Sequence, residues 1–112
     1  MSKSLRKILL EKEDGDVNHT DVRELRIFAD NDSHLYHSSK VPIEKNLLKK
    51  HAKGVYNHEK AIKLWGYHAD RAAQAYHKEF GSKDQHWSKM FPKSVRNAAA
   101  KEWADEHRDE HH

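Results

Sequence analysis

Cysteine is absent from the 112 residues. That excludes disulfides, thiolate nucleophiles, iron–sulfur ligation and the usual zinc fingers. Long hydrophobic runs are absent too. Ile8-Leu9-Leu10 is too short for a membrane span or a signal peptide. The expectation is a cytoplasmic protein without membrane contact. Glycine and proline are scarce, at four and two residues. No Gly-rich phosphate loop, Walker sequence or nucleophile elbow can be written from them. The chain offers no set of strands for a parallel sheet.

What is present is charge and aromatic surface. Hydrophobic residues make up 36% of the chain and charged residues 35%, while three Trp, four Tyr and three Phe remain to pack. Aromatic content separates this composition from that of a disordered chain. The length suits one domain with a thin, partly aromatic core, which a homodimer would enlarge.

The organising stretch is residues 42–80. Leu48, Val55, Ile62, Ala69 and Tyr76 recur along it, and Leu47, Ala52, Trp65, Ala72, Ala73 and Phe80 fill the same side. A period near 3.6 puts them on one stripe of a long helix, or of two helices nearly end to end. Pro42 fits the first turn and Gly81 the stop. Gly54 and Gly66 weaken the interior and mark sites for a bend, with a break near Gly66 kept open.

Around it, residues 1–19 read as an N-terminal helix or arm and a turn. Residues 20–108 form the domain, and 109–112 a frayed tail. Thr20 is a suitable N-cap for a second helix. Val22, Leu25, Phe28 or Ala29, Asp32, and Leu35 or Tyr36 then follow the helical period, with Ile27 off the stripe; a strand at 25–29 is the competing reading. Residues 38–41 read as a linker, with Val41 extended ahead of Pro42. The loop from Gly81 to Ser88 should fold back so that Trp87, Met90 and Phe91 are covered. Pro92 opens a last helix with Val95, Ala99, Trp103 and Glu106 along one side. The fold class is all-α: a small bundle of three main helices around one long helix.

Eleven histidines invite a metal reading. The pairs at helical reach are His34/His37 and His107/His111, each short of the four ligands of a structural zinc site. No His-Glu-x-x-His occurs. His51 and His58 fall on or beside the apolar stripe and read first as half-buried core histidines. If the protein is an enzyme, they would work with Asp30 and Asp32, in a pocket that His34 or Asp70 could also reach. No cofactor is implied.

Charge distribution is more informative than the net +3. From Lys40 to Lys63 there are seven Lys against two Glu, whereas 102–112 carries five acids and one Arg. Turned at about 100° per residue, Lys45, Lys49, Lys53, Lys60 and Lys63 share one quadrant of the long helix, bordered by Tyr56 and Tyr67. Such a face suits phosphate contacts and stacking, or an acidic protein; the bland alternative is a solvated helix face. Lys89, Lys93 and Arg96 would extend it if packing brings them alongside.

Asn31-Asp32, Leu35-Tyr36, Pro42-Ile43-Glu44-Lys45-Asn46-Leu47, Tyr56-Asn57-His58-Glu59-Lys60-Ala61, Ala69-Asp70-Arg71-Ala72-Ala73 and Trp87-Ser88-Lys89-Met90-Phe91-Pro92 together resemble small uncharacterised bacteriophage-encoded proteins. The resemblance carries no catalytic signature. It implies an accessory protein acting on a host protein or on nucleic acid.

The leading expectation is a non-enzymatic binding protein. It would use the lysine face and the aromatic segment Trp87 to Phe91 to engage a macromolecule, a protein in preference to DNA or RNA. The alternatives are a nucleic-acid-binding protein, a metal-dependent enzyme with His and Asp between helices, and an assembly subunit whose dimer buries Trp87, Phe91 and Trp103.

Overall fold

The computed structural model describes residues 17–81 and 83–110. The expected helix or arm before residue 17 and the end of the tail lie outside them. Every regular element among the described residues is helical, as the periodicity predicts. They are α1 (His19–Asn31), α2 (Ser33–Leu35), a π-helical segment (Tyr36–Lys40), α3 (Val41–Ala52), α4 (His58–Phe80), α5 (Trp87–Met90) and α6 (Lys93–Glu110). The strand alternative at 25–29 is overturned.

Asn18, not Thr20, caps α1: its side-chain oxygen accepts from the backbone N–H groups of Thr20 and Asp21, at 3.0 and 3.2 Å. Val22, Leu25 and Ala29 are buried and Ile27 is 53% exposed, so the helical stripe is the expected one. Asp32 ends the helix with extended backbone and caps the next, accepting from the Leu35 N–H at 3.0 Å.

The expected linker at 38–41 is instead helix. Val41 has φ −61° and ψ −45°, and its N–H reaches back five residues to the Tyr36 carbonyl. That widened turn carries the chain into Pro42, which brings no N–H of its own. Residues 33–52 therefore form one rod, interrupted in register but not in direction.

Of the two readings of residues 42–80, the chain takes the two helices, α3 and α4. The break falls at Gly54 rather than Gly66. Gly54 has φ +73°, its N–H bonds to His51 O at 3.1 Å, and the Val55 N–H bonds to Lys50 O at 2.9 Å. This paired capping geometry needs a left-handed residue, which glycine supplies without strain. Asn57 then starts α4 by accepting from the Lys60 N–H at 3.0 Å. The rod and α4 form a hairpin rather than an end-to-end pair: Ser38 meets Arg71, Ser39 meets His68 and His51 stacks on Tyr56. The stripe splits accordingly. Leu48 and Val55 are 52% and 59% exposed, while Leu47, Trp65, Ala69, Ala72 and Ala73 are buried.

Gly81 does end α4, but in extended backbone with φ −82° and ψ 163°. Glycine is needed there because a Cβ would overlap the His77 ring and carbonyl. Phe80, 61% exposed, falls outside the core.

α6 runs antiparallel to α4. His58 meets Asp105 at one end, Trp65 lies against Trp103 and His107, Asp70 meets Arg96, and Tyr76 meets Phe91 at the other end. Alanines line both sides of this seam, among them Ala61, Ala69, Ala72, Ala99, Ala100 and Ala104. Small side chains bring the helices close, and the two tryptophans are the largest fully buried side chains. The expected Glu106 on the buried side of α6 gives way to His107; Glu106 is exposed and pairs with Arg26 at 2.6 Å. α1 lies across both helices, with Arg26 also bonded to Glu102 at 2.7 Å and Phe28 edge-on to Tyr76.

Candidate functional site

The antiparallel crossing opens a groove of ≈ 560 Å³ on the surface between α4 and α6. Lys63, Gly66, Tyr67 and Asp70 recur at helical spacing along the α4 wall, after Ile62. Lys93, Arg96, Asn97 and Lys101 do the same on the α6 wall. Arg96 is committed within the fold. Its Nη1 donates to Asp70 at 2.7 Å, its Nε donates to the Phe91 carbonyl at 2.9 Å, and its guanidinium lies 4.8 Å above the Trp87 ring. That pairing offsets the groove's one carboxylate. Lys63 and Lys93 are exposed, and the Lys101 side chain is 67% exposed, with its ammonium 3.1 Å from Asp105. Tyr67 is likewise 67% exposed. The site therefore presents three ammonium groups and one bare aromatic ring around a wall with no side chain at Gly66.

The expected lysine face is divided. Lys45, Lys49 and Lys53 sit on or at the end of α3, Lys60 and Lys63 on α4, because the turn at Gly54 cancels the angular arithmetic across it. Lys89 is exposed on α5. Trp87 is half-buried beneath Arg96, and Phe91 is 3% exposed against Tyr76, so neither forms an open aromatic platform. Trp103 is buried as well. The three aromatic residues expected at a dimer interface are thus largely covered within one chain. Tyr56 turns inward. Of the expected residues, the structure brings together Lys63, Tyr67, Lys93 and Arg96. Asn97 and Lys101 join them, though the i, i+4, i+8 spacing from Lys93 was there to be read.

His51 and His58 do converge, but not on Asp30, Asp32, His34 or Asp70. His51 stacks on Tyr56 with ring centroids 4.0 Å apart. The Tyr56 hydroxyl is 2.7 Å from His58 Nδ1, and His58 Nε2 is 2.7 Å from Asp105. Lys101 holds Asp105 below the ordinary carboxylate range by its hydrogen bond, with His58 contributing. Burial pushes the Tyr56 phenol up, which favours the neutral hydroxyl over a phenolate. The relay ties the α3–α4 turn to α6. Asp30 meets Lys40 at 3.6 Å and Asp32 is a helix cap.

Elsewhere the histidines serve the core. His107 is buried, its Nδ1 donating to the Trp103 carbonyl at 2.9 Å and its Nε2 lying 2.6 Å from Glu44. Both ring nitrogens face acceptor groups. His68 is fully buried, with Nδ1 2.9 Å from the Ser39 hydroxyl and Nε2 without a partner among the described residues. Burial, then the neighbouring Lys40, push it down to about 4. His68 was missed as a core residue although 61, 65, 68 and 72 keep the helical period. His34 and His37 are exposed, and His111 lies outside the described residues. Among the described residues no group of three His, Asp or Glu side chains converges as a metal site, and no helix is long and apolar enough to cross a membrane.

No protein-family model, curated protein or solved structure matches the chain.

Proposed function

We propose that this is a non-enzymatic binding protein that holds an anionic macromolecule in the groove between α4 and α6. The observation that carries the reading is the meeting of Lys63, Lys93 and Lys101 around one groove, from helices that the sequence separates by a loop. Ammonium groups on helices attract an extended anion; the Arg96–Asp70 pair offsets the carboxylate that lines the groove, and Asp105, beside it, pairs with Lys101. A phage accessory role would fit a partner of this kind in the host.

Isothermal titration with inorganic polyphosphate tests this. Reversing Lys63→Glu and Lys93→Glu together should weaken binding by about a hundredfold, on the order of 1 kcal/mol or more for each lysine. Reversing Lys45→Glu and Lys49→Glu on α3 should cost less than about threefold at ordinary salt. Equal losses from the two pairs would dismiss the groove as the site.

A further inference from the structure

We infer that the groove's occupant is a single nucleic-acid strand, with one base stacked on Tyr67 and neighbouring phosphates on Lys63, Lys93 and Lys101. The inference rests on the groove reading above and names the chemistry of what it takes. Three ammonium groups alone would serve an acidic peptide equally well. Tyr67 separates the two occupants. Its ring is 67% exposed and borders the same groove. A run of acidic residues carries no ring to stack on that face, whereas every base has a π-face to lay on it. Gly66 stands beside it, and a Cβ built there would meet nothing within 4 Å, so a planar group can approach the α4 backbone.

Duplex nucleic acid fits less well. One turn beyond Lys101, α6 carries Asp105, 3.1 Å from the Lys101 ammonium. A rigid duplex lying along the groove would bring phosphates past this carboxylate. A flexible strand can turn away after a few nucleotides. The three lysines set the expected number of neutralised phosphates at three, a modest salt dependence for a nucleic-acid binder.

Fluorescence anisotropy on the full chain decides it, with labelled oligothymidylate, a labelled duplex of the same length and labelled oligoglutamate as probes. Oligothymidylate should bind more tightly than either. Its affinity should fall about twentyfold between roughly 50 and 200 mM salt, the single-strand slope for three phosphates. Tyr67→Ala should weaken it about tenfold without changing that slope, and Tyr67→Phe should bind as wild type. Lys93→Gln should lower the slope while keeping the Tyr67 effect. Binding of oligoglutamate but not oligothymidylate would overturn the strand and leave the groove reading in place. Binding of neither would remove both. A duplex bound as tightly as the strand, or an inert Tyr67→Ala, would also overturn the inference.

Discussion

The α4–α6 seam and the rod of residues 33–52 pack on the same core by different means. The seam is apolar and tight at its centre, with Trp65 and Trp103 fully buried among alanines, and carries the His58–Asp105 and Arg96–Asp70 pairs toward its ends. The rod buries just Leu35 and Leu47 among its apolar side chains, with Ile43 half-covered. Its remaining attachments are polar: Ser39 to His68, Glu44 to His107, Ser38 to Arg71 and Lys40 to Asp30. Apolar burial is non-directional and indifferent to pH in this range, whereas hydrogen-bonded imidazoles are neither. The seam is therefore the rigid floor under the groove, and the rod is the part of the molecule whose hold depends on conditions.

The largest expected effect is in the seam. Trp65→Ala should cost about 3–5 kcal/mol, against about 2 kcal/mol for Leu47→Ala on the rod, both read from denaturant unfolding. A larger cost at Leu47 would reverse the comparison.

Acid should act where the rod meets the seam, at His68 of α4, which touches Ser39 and Trp103. His68 is held neutral in the fold at about 4 against an ordinary 6.5, and the charged or titratable groups around it are Lys40, Asp30, Arg71 and His107. The unfolded chain therefore takes up the proton first as pH falls. The His68 contribution to stability is intact above about 6.5, declines below it and is gone by about 4, a loss of about 3 kcal/mol. Asp105, held below its ordinary 3.8, gives way in a lower window. Unfolding measured from pH 7 to 4 should show the first decline, and His68→Leu should flatten it. A wild-type stability that does not move between those limits would contradict this assignment.

The smallest effects separate two glycines. Gly54→Ala should cost about 1 kcal/mol, because φ is +73° there although nothing crowds a Cβ. Gly66→Ala should gain up to about 1 kcal/mol, since an open helical position favours alanine. Thermal unfolding of the two variants should move in opposite directions.

These same residues show what the sequence could reveal. Helical periodicity found α1, the second half of the organising stretch and α6, since Val22, Leu25, Trp65, Ala69, Val95 and Trp103 keep their period inside each element. It failed where one period was carried across an end. Leu48 and Val55 looked continuous with Ile62, but a left-handed Gly54 resets the helix direction between them. Pro42 does stand in the first turn of α3, but the π-helical turn that leads into it has no one-dimensional signature. The groove was half legible. Lys63, Tyr67, Lys93 and Arg96 were named, but only antiparallel packing sets them on facing walls. Asp105 and Glu44 could not be matched to His58 and His107, because those pairings span 47 and 63 residues.

The most direct measurement is a set of backbone amide spectra recorded while oligothymidylate is titrated into the full chain. The account expects the shifts to concentrate at residues 62–70 and 93–101 and to leave 33–52 nearly still. Shifts centred on the rod, with the two groove walls unmoved, would contradict it.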